Sequence, residues 1–280
     1  MEKLGKPRPA LFRALGKIDP PLIVEVDGVT YQRIEIFKHD SWAATALYEG
    51  GGQKIVCKFN RKQSILGFPM RWLGRLLARR EAYHFQRLAD IPLVPRLFGT
   101  VYADGVALPN TVAHAFVEGH PLRADEKVDA DFCDALIALF DEVHRRGMAY
   151  VDLHKRENVL VGDDGKPYLI DFQVSWTGNA EPNRRGWISG WILRQMQAAD
   201  RYHLQKHLSH LEPARFGTSE ATHSARPWWI RIHRVFAQPL RGLRRRFLVL
   251  LGVRRGKGRA ETEYFAEDAV RQEQDHAKAA

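Results

Sequence analysis

The sequence predicts an α+β protein in two lobes, a small antiparallel β lobe with one helix and a larger, mainly helical lobe. Three observations predict it. Between Leu22 and Phe59 the chain runs as short segments rich in β-branched and aromatic residues, broken at Asp27-Gly28 and Gly50-Gly51-Gly52. Beyond residue 130, longer stretches carry apolar residues at helical spacing. The length of 280 residues, with 45% hydrophobic and 27% charged residues, allows two lobes that still bury a sizeable core. The expected boundaries are an N-terminal arm over 1–21, the small lobe over 22–117, the helical lobe over 118–215, and a basic tail with an acidic, disordered end over 216–280.

In chain order, Pro20-Pro21 closes the arm, and LIVEV, TYQRIEIF, ATALYE and KIVCKF follow as four strands of an antiparallel meander. Leu73 to Leu88 reads as a helix that gathers Leu73, Leu76, Leu77, Ala78, Glu81, Phe85 and Leu88 on one side. Glu81 sits inside that apolar stripe, and a carboxylate there needs a partner. Lys58, on the preceding strand, is the expected one, with Arg79 and Arg80 as local alternatives. Ile91 to Pro95 ends the helix, and Thr111 to Val117 reads as an edge strand before the polar turn Glu118-Gly119-His120-Pro121. Asp131 to Arg146 spaces Phe132, Ala135, Leu136, Leu139, Phe140 and Val143 along one helical face, and Trp187 to Leu211 is a further helix. Asp200 on the latter either anchors a loop or lies exposed.

The residues that carry chemistry cluster between 150 and 172. Asn158-Val159-Leu160-Val161 and Tyr168-Leu169-Ile170 flank a turn at residues 163–167, which predicts a β-hairpin with Asn158 at its entrance and Asp171 at its exit. Arms of similar length bring those two side chains together as an oxygen pair suited to Mg²⁺, a hard cation. Asp152, in the loop before the hairpin, is free to orient a hydroxyl.

The order Asp152, Asn158, Asp171-Phe172 resembles the catalytic loop and metal-binding aspartate motif of the protein-kinase-like superfamily. The string Val-Asp-Leu-His with the Asn that follows resembles bacterial small-molecule kinases and lipopolysaccharide core sugar kinases, those acting on Kdo and heptose, more than ordinary serine/threonine kinases. The resemblance implies ATP and Mg²⁺ as cofactors, with ATP between the lobes. Asp152 would then be the catalytic residue, and Asn158 and Asp171 the metal ligands. Lys58, fixed by Glu81, would hold the phosphates, Val56 would cover the adenine, and backbone groups near Ala115 and Val117 would bind its edge. The acceptor would be a sugar or lipid-linked hydroxyl. Asp152 to Asn158 is six steps where the family has five, Tyr150 stands for its His, and Gln173 for the Gly after Asp-Phe. The phosphate-covering loop, residues 38–43, has no glycine, and no Ala-Pro-Glu closes a peptide-docking segment. An atypical serine/threonine protein kinase and a nucleotide-binding pseudokinase are the alternatives.

Composition narrows the setting. Cys57 and Cys133 are the two cysteines, too few for a disulfide framework, and Cys133 lacks neighbours at zinc spacing, so a reducing cytoplasm is expected. The opening stretch lacks an apolar core of signal-peptide length, and no transmembrane helix is expected. The net charge of +10 is concentrated, since Arg226 to Arg259 holds ten Arg and one Lys without an acid. That argues against a general nucleic-acid coat and for a local device. With its interleaved Trp228, Trp229, Ile232, Val235 and Phe236, the segment suits either an anionic membrane surface, placing the protein on the inner face of the membrane, or a helix packed on the large lobe.

Overall fold

The computed structural model describes residues 10–65, 67–123, 126–178 and 187–217. The chain divides into two compact units. One comprises the described residues up to Ala78 together with Gly99–Ala113, and the other comprises Arg79–Phe98 and the described residues from His114 onward.

The first unit is built on a seven-stranded sheet. Strands β1 (Ile23–Val26), β2 (Val29–His39), β3 (Ala43–Gly50) and β4 (Gln53–Asn60) form the meander that the alternation anticipates, each pairing antiparallel with the next. With β5 (Val101–Ala103), β6 (Val106–Ala107) and β7 (Thr111–Ala115), the order is β6-β5-β1-β2-β3-β4-β7. The turns use positive φ where the sequence places Gly or Asp: Asp27 at 51°, Gly28 at 77°, Gly51 at 58° and Gly52 at 73°. The core is made by Val24, Val26, Tyr31, Leu47, Tyr48, Ile55, Val56, Cys57 and Phe59, all buried. Residues 10–19 are bound to this unit. The Ala14 carbonyl accepts the amides of Lys62 and Gln63, each at 2.9 Å, and the buried Arg61 guanidinium donates to the carbonyls of Leu11, Ser41 and Gln63.

Helix α1 (Arg71–Arg87) starts two residues before its expected position because Pro69 stops the preceding segment. Gly74 lies so close to the Arg61 carbonyl that a Cβ would stand 2.3 Å from that oxygen, so only glycine allows this approach.

In the second unit, α2 (Ala130–Arg145) buries Phe132, Cys133, Leu136, Leu139, Phe140, Val143 and His144 on one face. Next come β9 (Met148–Ala149) and the hairpin of β10 (Val159–Gly162) and β11 (Pro167–Leu169). The pairs Val159↔Leu169 and Val161↔Pro167 set the hairpin register, and β8 (Gly119–Pro121) adds a third strand alongside β10. Strand β12 (Trp176–Thr177) returns to pair with β9. Helix α3 (Trp187–Leu211) and the short α4 (Pro213–Phe216) complete the unit. Both cysteines are free and buried, and burial pushes the Cys133 thiol up to about 11, an inert state. Among the described residues no helix is long and apolar enough to cross a membrane. The basic segment 226–259 and the acidic end lie outside the described residues.

Candidate active site

The loop between β9 and β10 is shaped by the buried face of α3. That face carries Leu193, Gln197, Asp200, Leu204, His207 and Leu208, three of them polar, and each polar side chain reaches a distant backbone group. Gln197 Nε2 donates to the carbonyls of His144 and Met148, both at 3.0 Å, and His207 Nε2 meets the Leu153 carbonyl at 2.6 Å. Asp200, 1% exposed, accepts the Tyr150 amide at 2.7 Å and the Val151 amide at 2.8 Å, and lies 3.1 Å from His144 Nε2. Of the two readings open for Asp200, the anchoring one describes its position. This grip holds Val151 at a φ of 74°, a conformation that a β-branched side chain adopts only under constraint.

Asp152 follows directly and is 5% exposed. Its carboxylate receives Lys155 Nζ at 2.7 Å and Asn158 Nδ2 at 3.1 Å, and His154 Nδ1 is 3.3 Å away. Lys155 is a contact that sequence reasoning missed, because only the loop geometry turns it back onto Asp152. Burial pulls the Lys155 ammonium down, yet the hydrogen bond and charge of Asp152, with Asp171 and Glu157, outweigh it and raise its pKa. Asp171 is therefore within electrostatic reach of the same ammonium. The Ile170 amide donates to the Asn158 carbonyl at 3.1 Å, so the hairpin does bring the backbones at its entrance and exit together.

Asp171 also has a positive φ, 60°, which turns the chain so that Phe172 points into the core while Asp171 stays half-buried. Phe172 packs edge-on against Phe85 of α1 at 4.8 Å and against Tyr150 at 5.6 Å, and Tyr150 meets Phe140 of α2 at 5.9 Å. Tyr150 is completely buried, and its hydroxyl donates to the Ile170 carbonyl. Burial, then the charges of Asp171 and Asp152, hold its pKa well above the usual phenol value. Beyond Phe172 the chain is tied down at once. Ser175 Oγ donates to the Tyr150 carbonyl at 3.1 Å, and Arg80 donates to the Ser175 carbonyl at 2.9 Å. Asp152, Asn158, Asp171 and Glu81, the last 1% exposed on α1, thus all belong to the second unit.

Lys58 and Val56 belong to the first unit, on β4 opposite Thr45 and Leu47, 8% and 4% exposed. Ala115 and Val117 help wall a cavity of about 660 Å³ with Phe116, Glu118, Asp163 and Tyr168. The Ala115 amide donates to the Arg96 carbonyl at 2.8 Å, which commits that donor. The glycine-free turn after β2 is closed by a side chain. Asp40 Oδ1 accepts the amides of Trp42 and Ala43, at 2.7 and 2.9 Å. Burial acts to raise the Asp40 pKa, but Lys38 and those two amides prevail and lower it.

Asn158 and Asp171 each carry side-chain oxygens of the hard kind that Mg²⁺ takes when substrate phosphates and water complete its shell. Asn158 turns its amide nitrogen to Asp152, which directs its carbonyl oxygen elsewhere. Among the described residues no group of three or more His, Cys, Asp or Glu side chains forms a metal site.

No protein-family model matches the chain, and no curated protein matches it. Among solved structures it is similar to the Rio2 kinase-ADP/Mg²⁺-phosphoaspartate complex from Chaetomium thermophilum. The match has 18% sequence identity and a TM-score of 0.47, and covers 63% of this chain and 54% of that one. The chain thus spans about half the length of the structure it matches.

Proposed function

We propose that the chain is a phosphotransferase that moves the γ-phosphoryl group of ATP onto a hydroxyl acceptor. The observation that carries this reading is the Asp152 carboxylate, buried, bonded by Lys155 and Asn158, and presented by a loop whose strained Val151 is gripped by Asp200. A carboxylate held so rigidly is placed to orient an attacking hydroxyl and accept its proton. Lys155 would present its ammonium to the transferred phosphoryl group, whose charge must be offset. Asn158 and Asp171 would hold Mg²⁺, which would neutralise phosphate oxygens. Lys58, oriented by Glu81, would grip the remaining phosphates, Val56 would cover the adenine, and the Val117 backbone would meet its edge. By resemblance the acceptor is a sugar of the lipopolysaccharide core or another lipid-linked hydroxyl, met at the cytoplasmic face of a membrane through residues 226–259.

The test is transfer of labelled γ-phosphate from ATP to purified core glycolipid. Asp171→Asn is expected to abolish Mg²⁺-dependent transfer, and Asp152→Asn to spare nucleotide binding while slowing transfer by roughly 10²- to 10⁴-fold. Full turnover in both variants would falsify the assignment. One observation favours a nucleotide-binding pseudokinase as the second reading. Asp40 occupies two backbone donors of the turn that would otherwise face phosphate. Nucleotide binding without transfer to any acceptor would select it.

A further inference from the structure

The first unit carries a cavity of about 230 Å³ lined by Lys62, Arg71, Arg75 and the segment Val106 to Asn110. Three cations face it and, among the described residues, no carboxylate lines it. Arg71 and Arg75 are the first and fifth residues of α1, a 17-residue helix whose first turn holds no acid, so its free backbone donors add positive potential at the same end. Among the described residues, Lys62, Arg71 and Arg75 form no ion pair. Burial, and then the charges of Arg71 and Arg75, lower the Lys62 pKa, which locates both guanidiniums close to that ammonium. An anion placed among these cations relieves their mutual repulsion.

Asn110 is the independent observation. It is 2% exposed, and its Nδ2 is committed to the Asn60 carbonyl at 2.6 Å while the Asn60 amide returns to the Asn110 carbonyl at 2.9 Å. The Nδ2 bond orients the side-chain amide, and the backbone bond ties the two segments together. Its Oδ1, buried and in a residue of the cavity wall, has no hydrogen-bond partner among the described residues. A buried acceptor left so is destabilising unless a donor reaches it. Three cations select an anion, and the neighbouring acceptor selects a donor on the same ligand.

We propose that this cavity binds a phosphate ester carrying a hydroxyl, with the phosphate against Lys62, Arg71 and Arg75 and the hydroxyl donating to Asn110 Oδ1. The same chemistry is offered by a soluble polyol phosphate and by a glycerol-type phospholipid headgroup. The site is independent of the nucleotide reading, since none of its residues belongs to the phosphotransfer set.

The experiment titrates the full chain with inorganic phosphate and with glycerol 1-phosphate by calorimetry, and sediments it with phosphatidylcholine vesicles with and without phosphatidylglycerol. Glycerol 1-phosphate is expected to bind more tightly than inorganic phosphate. Arg71→Gln/Arg75→Gln, whose two positions are exposed, is expected to weaken it by at least about ten-fold with an unchanged circular dichroism spectrum. Lys58→Met separates this site from the nucleotide reading, because it is expected to leave glycerol 1-phosphate binding intact. A drop in phosphatidylglycerol-dependent sedimentation of the double variant relative to the parent identifies the lipid as the source, and sedimentation equal to the parent's identifies the soluble ester. Absence of glycerol 1-phosphate binding, or binding unchanged in the double variant, overturns the proposal. Equal affinity for inorganic phosphate overturns the role of Asn110.

Discussion

Replacing Asp200 by Ala removes a carboxylate that no solvent can replace. Its two oxygens accept the amides of Tyr150 and Val151, and one of them also meets His144 Nε2. A hydrogen bond to a charged group contributes about 1.5 to 3 kcal/mol, so losing the two amide bonds alone costs about 3 to 6 kcal/mol. That is a large share of the roughly 5 to 15 kcal/mol by which a typical domain is stable. The loss also frees Val151 to leave its 74° φ, so the loop bearing Asp152 relaxes as well. Asp200→Asn keeps the volume and one acceptor oxygen but turns an NH₂ toward a backbone N–H, and is expected to cost about half as much. Urea unfolding followed by tryptophan fluorescence measures both variants. In parallel, transfer is assayed well below the unfolding midpoint, where Asp200→Asn should still lose most of its rate. If Asp200→Ala lowers stability by less than about 1 kcal/mol, the three contacts do not carry the energy assigned to them. If Asp200→Asn transfers phosphate at the normal rate, the loop's shape does not depend on them.

Three further outcomes are expected. Val151→Gly should be neutral or stabilising by up to about 1 kcal/mol despite the lost side chain, because glycine accepts a φ of 74° without the steric cost; a loss above 2 kcal/mol, roughly the scale of a buried side chain, would show that packing dominates there. His84, 3% exposed, has its pKa pushed down to about 4, by burial first and then by Arg80 and Arg87 against an opposing Ser175 backbone contact. The folded state therefore refuses a proton that the unfolded chain takes near pH 6.5, and the stability present above that value falls by on the order of 3 kcal/mol as pH drops toward 4. Denaturation midpoints between pH 4 and 7 should show this slope in the parent and a shallower one in His84→Leu. Asp40→Ala should cost about 1 kcal/mol through its lost amide bonds and tighten ATP binding by freeing the Trp42 and Ala43 amides; unchanged affinity in a nucleotide titration would mean that this turn does not meet phosphate.

The alternation of residues 22–60 and the helical spacing of 71–87, 130–145 and 187–211 are local properties, and each produced an element within about two residues of its expected bounds. The hairpin was legible for the same reason: two apolar arms and a Gly165 turn determine their own register, and with it the closeness of Asn158 to Ile170-Asp171. Glu81 was legible as a buried acid because it interrupts an apolar stripe. What sequence could not determine is which polar residues on a buried face meet which distant backbone groups. Gln197, Asp200 and His207 stand 49 to 56 positions from their partners, and in the sequence they only dilute the apolar face of α3. Lys155 lies three residues from Asp152, a spacing that does not face residues together unless the loop folds back, and it folds back because Asp200 holds Val151 in a conformation valine does not choose. The same holds for Asp40, which does the work of a missing glycine by capping its own turn, and for Lys62, Arg71 and Arg75. Strand and helix follow from nearest-neighbour preference, whereas the placement of charges from two segments around one cavity, with Asn110 of a third in its wall, is decided only when the tertiary structure brings those segments together.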